Sequence, residues 1–112
     1  MTWKSIYASY LKTAGELYVQ KRFEELERLF TVMRGQIYDD EALAELEEFE
    51  KELTIKVQKQ FEALEKNEAK EPNPLRRRAI AVEGEVSIWD WKLGELLNKH
   101  QRLAKKYSLT ED

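Results

Sequence analysis

The side chains able to do chemistry are few and mostly isolated. His100 is the single histidine, the residue type whose ordinary pKa allows proton exchange near neutrality. General acid–base work needs a second group within reach, and no nucleophile motif surrounds it. Helical iron sites read Glu-x-x-His, and this chain has Leu97 where that glutamate belongs. Because His100 falls between Leu96 and Leu103 on an apolar helical stripe, it is expected at the edge of the core.

Carboxylates crowd one segment at Glu45, Glu47, Glu48, Glu50 and Glu52. Converging pairs bind metal ions or move protons when a cleft buries them. Helical spacing turns most of these away from the apolar stripe, which predicts a solvated acidic face. Glu50 alone stands close to the stripe, and its neighbours name no second ligand. There is no phosphate-binding loop and no zinc motif, and the lack of cysteine excludes thiolate chemistry and disulfides. The expectation is no catalytic residue, no cofactor, no metal and no small-molecule substrate.

Arg76, Arg77 and Arg78 form the one charge run that resists a simple reading. Three cations in the first turn of a helix oppose its dipole, so an anion should compensate them. Glu65, Glu68 and Glu71 at the end of the preceding segment could do so locally. A phosphate backbone or an acidic partner could do so from outside, since arginine binds both in fork geometry. Of the tryptophans, Trp3 and Trp89 lie within stripes that read as core. Trp91 lies elsewhere, with Ile80, Ile88 and the small Gly84.

The elements that must position these groups are helices. A chain of 112 residues suits one domain, and 42% hydrophobic with 37% charged residues describes a folded chain under a dense ionic cover. The net charge of −3 sets the overall field against nucleic acid. No segment approaches the roughly 18 to 20 apolar residues that a membrane span needs, and the opening shows no signal-peptide pattern. A cytoplasmic protein without membrane contact is expected. With four glycines, two prolines and no strand-like alternation, the fold class is all-α, a bundle of about four helices. The domain should span 1–107, with 108–112 as a frayed tail.

Two short helices come first, with stripes Trp3, Ile6, Tyr7, Tyr10, Leu11, Ala14, Leu17, Tyr18 and Phe23, Leu26, Leu29, Phe30, Met33, Ile37. On one straight helix the second stripe would sit about 140° from the first, so a turn is predicted at 20–22. The segment GELYVQKRFEELERLF resembles the helical hairpin of a tetratricopeptide repeat through Gly15, Tyr18, Phe23 and Phe30. Its turn is one residue short and no second copy follows, so no function is carried across. A third helix starts at the cap Asp39, with Tyr38 and Leu43 placed as a hydrophobic staple, and runs to about residue 69. Pro72 and Pro74 break the chain, Asn73 caps the last helix, and the two long helices should form an antiparallel hairpin. Eight acids over 39–52 would then lie beside Lys99, Arg102, Lys105 and Lys106.

The last helix is apolar on two faces over its first half. Leu75, Val82, Val86, Trp89, Leu93, Leu96, Leu103 and Tyr107 follow one side, and Ile80, Gly84, Ile88 and Trp91 nearly the other. One face closes a core and the second needs a covering surface. The sequence thus points to a non-catalytic interaction or adaptor protein, a homodimer through Ile80, Gly84, Ile88 and Trp91 that also binds another protein. The rival is a nucleic-acid-binding module using Arg76, Arg77, Arg78, Lys92, Lys99, Arg102, Lys105 and Lys106. A third reading is an acidic mimic that blocks a nucleic-acid-binding protein through 39–52.

Overall fold

α-Helices leave the amides of their first turn unpaired, and at three helix starts a side chain satisfies one of them. The computed structural model describes residues 2–110, with helices α1 (Trp3–Val19), α2 (Phe23–Gly35), α3 (Asp40–Lys70) and α4 (Pro74–Lys106) and no strand among the described residues. Thr2 caps α1 by accepting from the Ser5 amide at 3.2 Å. Asp39 caps α3 through the Ala42 amide at 3.0 Å. Asn73 caps α4 through the Leu75 amide at 3.0 Å, with Pro74 as first residue.

Two exits from helix use a left-handed residue that is not glycine. Lys21 has φ 61°, and the Arg22 amide returns to the Leu17 carbonyl at 3.0 Å. Ser108 has φ 54°, and the Leu109 amide returns to the Ala104 carbonyl at 2.9 Å. Both are Schellman turns, whose usual glycine signal is missing here. The second corrects the expectation of a frayed tail. The turn at Ser108 folds Leu109 back into the core, where it is fully buried. Residues 111–112 lie outside the described residues.

α3 and α4 run antiparallel along each other. Glu45 faces Lys99 and Lys106 at one end, and Leu64 faces Gly84 further up. α1 and α2 pack together and against the later part of α4. The continuous core gathers Tyr7, Leu17, Leu26, Phe30 and Met33 with Leu46 and Leu53 of α3 and Leu93, Leu96 and Leu103 of α4. It therefore fills only the base of the long pair. The rest of α3 and α4 projects as two helices side by side, in a molecule measuring 57 × 26 × 17 Å. Tyr38 is mostly exposed and meets Trp3 edge-on at 5.7 Å between ring centres.

Candidate interaction surface

A stripe with alternating steps of four and three residues runs the whole length of α4: Leu75, Ala79, Val82, Val86, Trp89, Leu93, Leu96, His100, Leu103, Tyr107. That spacing is the seam a helix presents to neighbouring helices. At the base it is covered, and Leu93, Leu96, His100 and Leu103 are buried. On the projecting half it is open. Leu75 is 81% exposed, Val82 54% and Val86 53%, and Ala79 is exposed with them. Where cover ends, Val86 and Trp89 of α4 and Phe23 of α2 line a groove of about 420 Å³, walled by Glu24, Glu27 and Arg28.

The opposite face of α4 is occupied. A β-carbon on Gly84 would lie 2.8 Å from Leu64 Cδ2 and closer still to Cδ1, so the missing side chain makes the room that Leu64 of α3 occupies. Ile88, one turn on, is only 7% exposed. Ile80 and Trp91 are half-buried, and Trp91 packs on the core. This corrects the assignment of faces made from sequence. α4 does carry two apolar faces, but at Gly84 the Ile80–Trp91 side is filled from within the chain by Leu64 of α3, and Ile88 is buried. The uncovered surface is the first half of the other stripe. Helix length was the signal that could have found it: α1 and α2 have 17 and 13 residues against 33 in α4. Two helices of about 20 to 25 Å cannot cover one of about 50 Å.

The arginine run divides. Arg77 donates from Nε and Nη2 to the Glu71 carbonyl at 3.1 and 2.8 Å, closing the end of α3. Arg76 and Arg78 meet no acid among the described residues, so Glu65, Glu68 and Glu71 do not neutralise them through side-chain contacts. Glu83 and Glu85, which flank the same open strip two turns on, are likewise without partners.

Charge elsewhere is used to hold the base together. Glu45 accepts from Lys106 at 2.6 Å, Lys99 at 3.1 Å and Tyr107 at 3.1 Å. Those donors, Lys106 foremost, hold its carboxyl down at about 2. Arg102 and Lys105 find no such acid among the described residues. Arg34 of α2 lies 3.2 Å from both Glu47 and Glu50 of α3. Its Nε is out of line for a hydrogen bond to Glu50 Oε1, which has none, and burial raises the pKa of Glu50. Asp90 accepts from Tyr18 at 2.6 Å and Lys21 at 2.9 Å, tying the end of α1 to α4. Gly94 makes room for this, since a β-carbon there would lie 2.8 Å from the Tyr18 hydroxyl.

His100 is buried, 1% exposed, against Tyr7 and Phe30. It does not line the groove. Among the described residues no three of His, Asp and Glu converge to hold a metal ion, and no helix is long and apolar enough to cross a membrane. What the described residues offer is the open apolar strip and the groove at its end. Comparison with known proteins leaves that reading to the geometry: no family model, curated protein or solved structure matches the chain.

Proposed function

We propose that this chain is a non-catalytic interaction protein that receives a helical protein segment on the projecting half of α4. The observation that carries it is the change in one stripe. At the base it forms the core; beyond Trp89 the same spacing continues through Val86, Val82, Ala79 and Leu75, which are exposed among the described residues. A helix seam ending in open apolar side chains, beside a groove containing Phe23 and Trp89, is suited to another helix. The reading includes a cytoplasmic location and no enzymatic activity. A photo-crosslinking residue placed at Val82 tests it in cells. Protein adducts are expected, and they should vanish when Val86→Glu is added. Nucleic-acid adducts in their place would overturn the reading.

The nucleic-acid module is a second reading, favoured by the unpartnered Arg76 and Arg78. Its basic side is interrupted, because Glu45 occupies Lys99 and Lys106. Phosphate contacts would give steep salt dependence. A mobility shift at low salt that vanishes in Arg76→Glu/Arg78→Glu would support it, and no shift with DNA or RNA would remove it. The acidic mimic has less support, since Glu45, Glu47 and Glu50 of its face already meet cations within the chain.

A further inference from the structure

Resting on the open strip proposed above as a helix-binding surface, we infer that its occupant is the same strip of a second copy, packed antiparallel about a twofold axis between Ala79 and Val82. Three features lead there independently.

The first is steric. From Trp89 onward α1 and α2 cover the same face of α4, so two copies laid parallel would drive their N-terminal helices into one another. Laid antiparallel, each base lies beyond the other copy's tip. The tip is short enough to fit, because α4 begins at Pro74 and the open strip ends at Val86.

The second is the spacing. In an antiparallel pair each layer joins a residue that follows a four-step to one that follows a three-step. Leu75 then faces the partner's Val86, and Ala79 faces the partner's Val82, with both contacts repeated by symmetry. The small Ala79 meets a β-branched residue in the central layers. The most exposed residue of the strip, Leu75, comes to rest at the mouth of the groove that Val86, Trp89 and Phe23 line.

The third is charge. Antiparallel helices pair flanking residues on the same side of each seam. In this register Arg76 meets the partner's Glu83, and Arg78 meets the partner's Glu85. By symmetry each pair occurs twice. These four residues have no partner among the described residues, and the pairing gives each of them one. It also supplies the anions that cations in the first turn of α4 lack. A parallel pair would keep Arg78 against the partner's Glu83 but would set Glu85 against the partner's Asp90. The contact is about three turns long and therefore small, so a weak dimer in exchange with monomer is expected.

Sedimentation of the purified chain from micromolar to millimolar concentration tests this. The wild type should pass from monomer to dimer. Arg76→Glu/Arg78→Glu and Glu83→Arg/Glu85→Arg should each weaken self-association at least about tenfold, since every flanking pair becomes repulsive. Mixing the two variants should restore a heterodimer. All four positions are exposed, and circular dichroism should show the helix content unchanged. Orientation is read by disulfides, the chain having no cysteine of its own. Ala79→Cys mixed with Val82→Cys should crosslink, and neither alone should do so readily. A chain that stays monomeric at millimolar concentration overturns the dimer, as does crosslinking of each cysteine variant to itself. If the purified chain is monomeric while Val82 still crosslinks to other proteins in cells, the helix-binding surface stands and its self-pairing fails.

Discussion

Tyr7 and His100, 93 positions apart in sequence, share a hydrogen bond of 2.7 Å between the phenol oxygen and Nδ1. Phe30 stacks on the imidazole, with ring centres 5.2 Å apart and planes 2° from parallel. The three side chains form one packed group. It ties α1 to α4 at the centre of the core, and the histidine is held neutral by its burial.

That burial gives the fold an acid sensitivity. The His100 pKa is lowered from 6.5 to about 4. Below pH 6.5 the unfolded chain takes up a proton that the folded chain refuses until about 4, so stability falls across that window. The full loss is about 3 kcal/mol. Glu45, lowered from 4.5 to about 2, adds stability that is present above 4.5 and lost below it, in the same direction. Urea midpoints measured against pH should decline from 6.5 downward in the wild type. In His100→Phe the decline should begin only near 4.5. A wild-type midpoint that stays level between 6.5 and 4.5 would contradict the buried neutral histidine.

The close approach at Gly84 should reverse the usual ranking of glycine and alanine in a helix. Alanine normally stabilises a helix interior by about 1 kcal/mol over glycine. Here its β-carbon meets Leu64, forcing that side chain off its rotamer at about 1 to 2 kcal/mol. Gly84→Ala is expected to lower the melting temperature, but to raise it when introduced into Leu64→Ala. The same sign in both backgrounds would show that the contact does not limit the approach of the helices.

How much of this could be read from the chain depended on which residues carried the information. Asp39 and the Asn73–Pro74 pair gave the starts of α3 and α4, because caps act locally. The turn at 20–22 was visible only as a phase conflict between two stripes, since Lys21 takes the place where glycine would have announced it. Ser108 hid the final turn in the same way, and with it the burial of Leu109. The two faces of α4 were countable from spacing. Which neighbour covered which face was not, because phase on one helix says nothing about what packs against it. Tyr7 as the partner of His100 was likewise beyond reach, as their meeting depends on the crossing of α1 and α4.

Ser108 leads to a simple stabilising change. A non-glycine residue in the left-handed region is strained by roughly 1 kcal/mol, so Ser108→Gly should stabilise the fold by about 0.5 to 1 kcal/mol. Lys21→Gly should not, because Lys21 also reaches Asp90 at 2.9 Å and lies over the Tyr18 ring at 4.9 Å. Thermal melts of the two variants side by side separate the effects. A Ser108→Gly variant less stable than the wild type would count against the turn.

The two faces of α4 should respond differently to substitution in the monomer. Ile88→Ala removes buried methyl groups and should destabilise by about 2 to 4 kcal/mol. Val82→Ala and Val86→Ala lie on the open side and should change stability by no more than about 0.5 kcal/mol. Chemical denaturation at low micromolar concentration checks both. If Val82→Ala proved as damaging as Ile88→Ala, the strip would have to be covered.

The projecting half of α3 and α4 has a dynamic consequence. Its amide protons are guarded by one helix–helix seam, whereas those at the base have a four-helix core around them. Local opening should therefore require less free energy toward the connection at residues 71–73, and deuterium should enter there first and reach the Tyr7–His100 level last. Any chain that settles on the strip would act as a clamp, slowing exchange at the outer end while leaving the base at its own pace.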